Sequence, residues 1–600
     1  MAKQHPKPIS TSKPKDKKED SSPKPSRLWS LLRSTPPMLV MFVAVWLWAA
    51  FFYGPVLRIA REFSFWAPDD TVMYFMEGRP WGGLWVLGRM LLMLYRWPVV
   101  GALLTATLVT LTTHLLGYCL RLKGWWRVLQ YIPALLYMAL TAYAGFDLFF
   151  EAETGLFMGV PALCTLVMAV IAPIIRSFSR KPFPWLWQPE KWADDVPVRR
   201  RNAQTVVLLA AALLPSLTAI TITQTMRRDV RVVTRMQCEQ LALEQEQDAM
   251  QYMQRWENMQ DIARNNTSLS TRPIAAYYAM ATVMRGEQGS RMFDIRLEYD
   301  EPWMHGFTKG SLTSIFSSSD SEEPNDSTES KGEAIRKMAS GIGSSSNNYY
   351  TPECDYHAGL VQTAIHHGME AMTMNGPSLR TLKLLTKCAL LKGEWEVARK
   401  YLRILGKVPF ESDFVGKYSA MVARPEKINA DPEFKMVRLT EPVSNMFENT
   451  FIQPVFLGYN AALTEGASIN ALWNSLSVLL YTKSMPGFVE RVMSLENTPL
   501  PATYAQALCI YGVKNPDVLQ RFPGMKIEDS RFATFIQDIK DHVKDKNGKD
   551  TRRENAGWLF DKYKKELNGW GYYPLYYYFG NLKATKKKPS TNNTSDGGVN

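Results

Sequence analysis

Asp69, Asp70 and Glu77 lie close together in a short polar loop after the first long apolar stretch of the chain, and Arg79 and Arg89 follow them. Carboxylates in such a loop can take a proton or hold a metal ion, and guanidinium groups pair with phosphate through parallel hydrogen bonds. The chemistry suggested is proton removal or metal binding beside a phosphate at a membrane surface. The plainer reading is an acidic loop that obeys membrane topology and caps a helix. His114 is the one ionisable side chain well inside an expected membrane span, where such groups are costly and often functional. A neutral imidazole bonded to a neighbouring Thr such as Thr110 explains it more simply than a proton relay. Cys354, His357, His366 and His367 invite a metal reading, but only the first two share a helix face by spacing, and the set matches no zinc pattern. No metal site is expected there. Neither a glycine-rich phosphate loop nor a nucleophile elbow occurs, and no cofactor is expected.

These residues must be positioned by five uncharged apolar stretches, at 36–57, 97–120, 128–146, 154–175 and 203–226. Each is long enough, at 1.5 Å per helical residue, to cross a hydrocarbon core about 30 Å thick. All five should be helices, because an unsatisfied backbone group is costly in lipid, with Pro133, Pro161, Pro173 and Pro215 tolerated as kinks. Residues 81–95 form a sixth apolar piece, interrupted by Arg89 and too short for a full span. It reads as an interfacial or re-entrant helix anchored by Trp81, Trp85 and Trp97.

The flanking charges orient the set. Nine Lys/Arg between Lys3 and Arg33 precede the first stretch, Arg121, Lys123 and Arg127 follow the second, and Arg176, Arg180, Lys181, Lys191 and Arg199 to Arg201 follow the fourth. By the positive-inside rule these are cytoplasmic. Asp147, Glu151 and Glu153 follow the third stretch without a base, and so face outward. Five spans then leave the N-terminus cytoplasmic and everything after residue 226 outside. The formal net charge of +13 is accounted for in part by this topology and by a basic tail at 1–34, so a nucleic-acid partner is not expected. The first apolar run begins too far in for a cleavable signal and reads as an anchor. Six cysteines in 600 residues are too few for a disulfide scaffold.

Beyond the spans the pattern is helical. Residues 227–266 contain neither Pro nor Gly, and Met250, Met253, Trp256, Met259 and Ala263 recur at helical spacing. The last span is expected to continue into a long helix that pairs with a second one at 273–285, giving a membrane-proximal hairpin at 227–307. Residues 308–350 are Ser-rich and poor in bulky apolar side chains, as a linker is. A helical region follows at 351–583, and a polar tail at 584–600. In the helical region, Leu379, Leu382, Leu385 and Ala389 form one helix face, Gly393 breaks the helix, and Ala398, Leu402 and Leu405 line a second one before Pro409. This spacing approximates the tetratricopeptide (TPR) pattern. The fold class expected is all-α: a polytopic helical bundle followed by a TPR-like α-solenoid. The aromatic block at 570–579 includes Trp570, Tyr572, Tyr573, Tyr576 and Tyr577, residue types that favour interfaces or cap an open solenoid end.

The order of features resembles an uncharacterised family of bacterial inner-membrane proteins with several N-terminal spans and a TPR-like outer region. The residues that carry the resemblance run from Arg79-Pro80-Trp81-Gly82-Gly83-Leu84 through Leu87-Gly88-Arg89 to Trp97-Pro98-Val99-Val100-Gly101-Ala102, with a second block from Leu390 to Leu402. It implies a Gram-negative inner membrane and a periplasmic domain, and supplies no activity. Membrane glycosyltransferases that use polyprenyl-phosphate sugars are similar in placing acids in the first outer loop. Two functions are therefore expected from different classes. The first is a non-enzymatic scaffold in the lipid bilayer whose helical domain binds protein partners or envelope assembly intermediates. The alternative is an enzyme acting on lipid-linked sugar through Asp69, Asp70 and Glu77, with Arg79 and Arg89 on phosphate.

Overall fold

A computed structural model describes residues 37–69, 81–120, 124–151, 153–178, 198–246, 248–266, 272–295, 350–441, 468–481, 485–522, 529–549 and 573–579, together with a few single positions and pairs between them. Among these residues the structure is all-helical, without a strand. The tails at 1–34 and 584–600 and the Ser-rich segment lie outside the described residues.

The first apolar stretch is a broken helix rather than the single span expected at 36–57. Pro37–Leu47 (α1) widens into a π-helical turn at Trp48–Phe52, and Gly54–Glu62 (α2) follows at a bend of 59°. The break has a covalent cause. Pro55 has no N–H to donate and its ring crowds the preceding turn. At Gly54 a Cβ would stand 2.8 Å from the Ala49 carbonyl oxygen, so only glycine lets the two halves fold this closely. The bend turns the end of α2 away from the bundle axis.

The short apolar piece forms Gly82–Leu92 (α3), at about 17 Å too short to cross a hydrocarbon core. It passes through a 3₁₀ turn into Pro98–Cys119 (α4), after which come Ile132–Glu151 (α5), Leu156–Phe178 (α6) and Val198–Thr225 (α7). Among the described residues, four helices are long and apolar enough to cross a membrane, at Pro98–Cys119, Trp125–Gly145, Leu156–Ile175 and Ala203–Thr225, and the bent pair makes a fifth if it is one span. α4 and α6 run parallel, with Thr105 against Met158 at 3.3 Å and Thr112 against Thr165 at 2.7 Å. α5 breaks helical geometry at Gly145 (φ 56°), where Arg227, just beyond α7, donates to the carbonyls of Tyr143 and Ala144 at 2.8 and 3.1 Å. Exposed aromatics gird the bundle at both ends, Phe51, Phe52 and Trp97 at one and Trp125 and Trp126 at the other. His114 is exposed on the outer face of α4. The Thr110 hydroxyl, one neighbour to which such an imidazole could bond, has no hydrogen-bond partner among the described residues.

The long helix expected after the last span is instead two helices. Arg228–Leu243 (α8) turns at residues 244–248 into Ala249–Arg264 (α9), which packs back on it. Asp248 makes the turn, its carboxylate accepting from the Met250 and Gln251 amides at 2.8 and 3.0 Å, and this local cap outweighs uninterrupted helix propensity. Arg272–Met284 (α10) and Gln288–Arg291 (α11) complete the layer.

The outer helices continue as Thr351–His357 (α12), Val361–Asn375 (α13), Leu379–Lys392 (α14), Trp395–Leu405 (α15), Ser412–Ala423 (α16), Glu426–Ala430 (α17) and Pro432–Thr440 (α18), and from α12 to α18 each packs on the next. Ser378 caps α14 by accepting from the Thr381 amide, and Gly393, in the left-handed conformation, closes it before α15. Then come Ile469–Tyr481 (α19), Met485–Val492 (α20), Ala502–Gly512 (α21), Asp517–Gln520 (α22), Asp529–Asp541 (α23) and Tyr573–Phe579 (α24).

Two apolar cores hold this outer part. One runs from α8 through α10 to α24; the other joins Leu379, Leu382, Ala398, Leu402 and Phe434 to Phe65, Ala67, Trp85 and Met93 of the loop and helix that precede α4. The second core thus belongs to both halves of the chain. α3 sits beneath it on the start of α6, where a Cβ at Gly88 would lie 2.0 Å from the Gly155 carbonyl oxygen. Gly88→Ala should therefore force α3 off α6 and destabilise the protein by about 1–3 kcal/mol, the usual effect of overpacking. Thermal unfolding in detergent checks this; an unchanged midpoint would show that α3 does not pack there.

Candidate functional site

α14 supplies the site. Arg380, Lys383 and Lys387 recur at three- and four-residue spacing and so share one helix face. That face is turned inward, with Lys383 only 2 % exposed. Its cations meet carboxylates from five other segments.

Arg61 and Glu62, carried by the bend onto the end of α2, are fully or almost fully buried. Arg61 bonds Glu62 at 2.6 Å and Glu411 at 2.5 Å, and it also donates to the Pro409 carbonyl at 3.4 Å. Lys383 stands 2.9 Å from Glu62, 3.1 Å from Glu411 and 3.2 Å from Glu244 at the end of α8. Burial alone would discharge Lys383. The surrounding Glu244, Glu62 and Glu411 outweigh that and hold its pKa above the ordinary lysine value. Lys387 pairs with Glu433 at 2.9 Å in the same way, and Arg380 forks onto Glu353 while donating to Tyr277 at 2.7 Å. Buried charges so paired resist separation, because breaking one pair strands the other charge in a low dielectric.

Next to this cluster is a cavity of about 40 Å³, walled by Gln237, Tyr252, Trp256, Tyr356, His357 and the cationic face of α14. By volume it has room for about three waters. Among the described residues the Gln237 carbonyl oxygen, the Tyr356 hydroxyl and His357 Nδ1 are buried without a hydrogen-bond partner. Such groups attract water or a small polar guest. His357 lies edge-on to Trp256, with ring centroids 5.1 Å apart. Burial, with Lys387 adding to it, lowers its pKa to about 3, so the ring is a neutral hydrogen-bonding group. Burial also pushes the phenols of Tyr252 and Tyr356 well up. The arrangement can fix two parts of the chain together and hydrate the joint.

Sequence reasoning chose other residues. Asp69 pairs with Lys407, which ties the first outer loop to the turn after α15. Asp70, Glu77 and Arg79 lie outside the described residues. Arg89, expected to meet phosphate, is 3 % exposed and forks onto Glu153, with Nη2 to Oε2 at 2.7 Å, so Glu153 occupies the position of the anion. Cys354 and His357 are buried, and His367 pairs instead with Asp355 at 2.6 Å. Trp570 and Tyr572 lie outside the described residues. Tyr573 and Tyr576, expected on an interaction surface, are buried against Phe293 at 5.0 and 5.1 Å, because the block folds as α24 and closes the core; Tyr577 is half-buried beside them. The face Arg380–Lys383–Lys387 was missed because a cationic stripe on a helix usually faces water. The signal was available: the apolar residues of α14 encircle the stripe instead of opposing it, as on a helix buried all round.

A model of a family of unknown function, DUF6057, matches residues 337–563. The match covers α12 to α23 and agrees with the resemblance to an uncharacterised family read from the sequence. No curated protein and no solved structure matches the chain.

Lys383→Met should cost about 3–5 kcal/mol of stability, the usual effect of removing one partner from a buried ion cluster. Urea unfolding in detergent reads it, and a loss below about 1 kcal/mol, the worth of an exposed pair, would mean that the cluster is solvated.

A second expectation concerns pH. His357 stays neutral down to about pH 3 in the folded protein and takes a proton near 6.5 when unfolded, so its contribution is complete above 6.5 and is lost as pH falls. Asp294 has the opposite sign. Burial raises its pKa from 3.8 to about 7, so the folded state holds a proton that the unfolded state lacks, and stability rises as pH falls from 7 toward 4. Between pH 6 and 5 the two oppose each other. Relative to wild type, His357→Gln should gain stability on acidification over that interval and Asp294→Asn should lose it, each by about 1.4 kcal/mol per pH unit at most. Parallel profiles for all three proteins would refute the assignment.

Proposed function

We propose that the protein is a membrane-anchored scaffold, in which a TPR-like helical domain is held in fixed orientation on a five-span bundle and binds protein partners or envelope assembly intermediates. The observation that carries this reading is the buried charge cluster. It joins α2, in the membrane half of the chain, to α8, α14 and the residue before α16, with the second outer core wrapped around it. A binding surface on a flexible tether needs no such joint; one that must face a set direction does.

The charge asymmetry of the loops favours a cytoplasmic N-terminus and an outer domain on the other side, the periplasm of a bacterial inner membrane. Helix directions are consistent with this. Glu62 at the end of α2 and Trp97 at the start of α4 touch the outer part directly, Glu153 before α6 bonds Arg89 of α3, whose Trp85 enters the outer core, and the end of α7 leads straight into α8. The reading as an enzyme on lipid-linked sugar gains no support from Asp69 or Arg89, each engaged in an ion pair.

Photo-crosslinking residues placed in intact cells at the exposed positions Met369, Val397 and Val513 test the scaffold. Adducts to the same partner should form at neighbouring positions, persist in Asp70→Ala and Glu77→Ala, and disappear in Lys383→Met. Turnover of a polyprenyl-linked sugar that either acid substitution abolishes would replace this proposal with the enzymatic one.

A further inference from the structure

We infer that the outer domain touches the bilayer itself, through the turn at residues 406–411, with the Phe410 ring seated in the lipid interface beside Trp97. This rests on the bundle crossing a membrane, and goes beyond the scaffold in assigning a lipid contact to a part of the chain that is not a span.

The backbone of Phe410 is the first observation. Its φ of 69° is in the left-handed region, which bulky L-residues avoid. Such a conformation persists only where its surroundings impose it. Here both neighbours are held by the buried cluster: the Pro409 carbonyl accepts from Arg61, and Glu411 bonds Arg61 and Lys383. The clamp thus presents a strained aromatic residue outward, Phe410 being 39 % exposed.

The second observation is what the ring meets. Phe410 stands edge-on to Trp97, with ring centroids 4.7 Å apart and planes at 64°. Trp97 immediately precedes α4, and Val99, Val100 and Leu103 on the first turns of that helix are 43–45 % exposed, as lipid-facing residues of a span are. Tryptophan at the end of a span marks the headgroup level. Phe410 extends that aromatic belt from the outer domain and is continuous with the lipid-facing surface of α4. Its occupant is therefore phospholipid, at the boundary of acyl chain and headgroup.

The full-length protein in phosphatidylethanolamine/phosphatidylglycerol vesicles, doped with a phospholipid bearing a diazirine near the glycerol, provides the test. After irradiation, lipid adducts are mapped by mass spectrometry. Adducts are expected on α4 and on residues 406–411, with α15 and α16 on either side of the turn unlabelled. Phe410→Gly removes the ring while suiting the backbone, so this variant should fold and lose the adducts at 406–411; Phe410→Leu should keep them. Labelling of α4 without labelling of 406–411 in the wild type, or adducts at 406–411 unchanged in Phe410→Gly, would overturn the inference. Failure to label α4 would instead overturn the membrane-spanning reading on which it rests.

Discussion

Arg61, Glu62, Lys383 and Glu411 form the joint on which the two halves of this protein depend. Two of these groups come from the first apolar helix pair and two from more than 300 residues later in the chain, yet all are almost fully removed from water. Removing four charges from water costs several kcal/mol per ion, and only mutual pairing at hydrogen-bond distance offsets it. The consequence is directional. Apolar surfaces tolerate sliding, whereas a displaced ion pair leaves a buried charge unpaired. The surrounding apolar core supplies attraction between the halves, and the ions fix their register.

The joint depends on a covalent detail in α2. Were α1 and α2 one straight helix, Arg61 and Glu62 would continue along the bundle axis. The Gly54-Pro55 break, with the π turn before it, bends the helix by 59° and delivers both residues to α14. α14 can receive them because it is buried on nearly every side: Leu379, Leu382 and Leu390 enter one outer core, Leu384 and Cys388 the other, and the three cations occupy the sector between. The cavity beside the ions follows from the same geometry. Large rings at Tyr252, Trp256 and Tyr356 cannot close around a branched set of charges, and the gap left between them is polar enough to stay hydrated.

Much of this was legible in the sequence, and what was not has physical reasons. Four long apolar helices were readable to within a few residues, because their runs of uncharged residues are unbroken over about 20 positions or more. The α14–α15 hairpin was readable from Gly393 and the small Ala389 and Ala398. The break between α8 and α9 was hidden, because a single capping aspartate in a charged stretch looks like any other polar residue. The joint was hidden for a deeper reason. Burial of Arg61 or Lys383 is decided by contacts across hundreds of residues, and in sequence each resembles a solvated charge. The acids of the first outer loop drew attention because they cluster locally. Asp69 and Arg89 proved to be ties between neighbouring elements, made at the surface by Lys407 and in the interior by Glu153.

The same clamp that fixes the outer helices against the bundle also fixes the turn that carries Phe410. Arg61 holds Glu62 and the turn that carries Phe410, so the position of α2 and the position of the aromatic turn cannot vary independently. Trp85 and Met93, on the piece that enters α4, are packed into the outer core as well. The end of α2 and the continuous segment from α3 to the start of α4 therefore both meet the outer helices. A domain attached at several points cannot tilt about any one of them. Under the proposed scaffold role, a partner bound to α12–α18 would be held in one orientation to the bundle, which a single-helix anchor and a flexible linker could not provide.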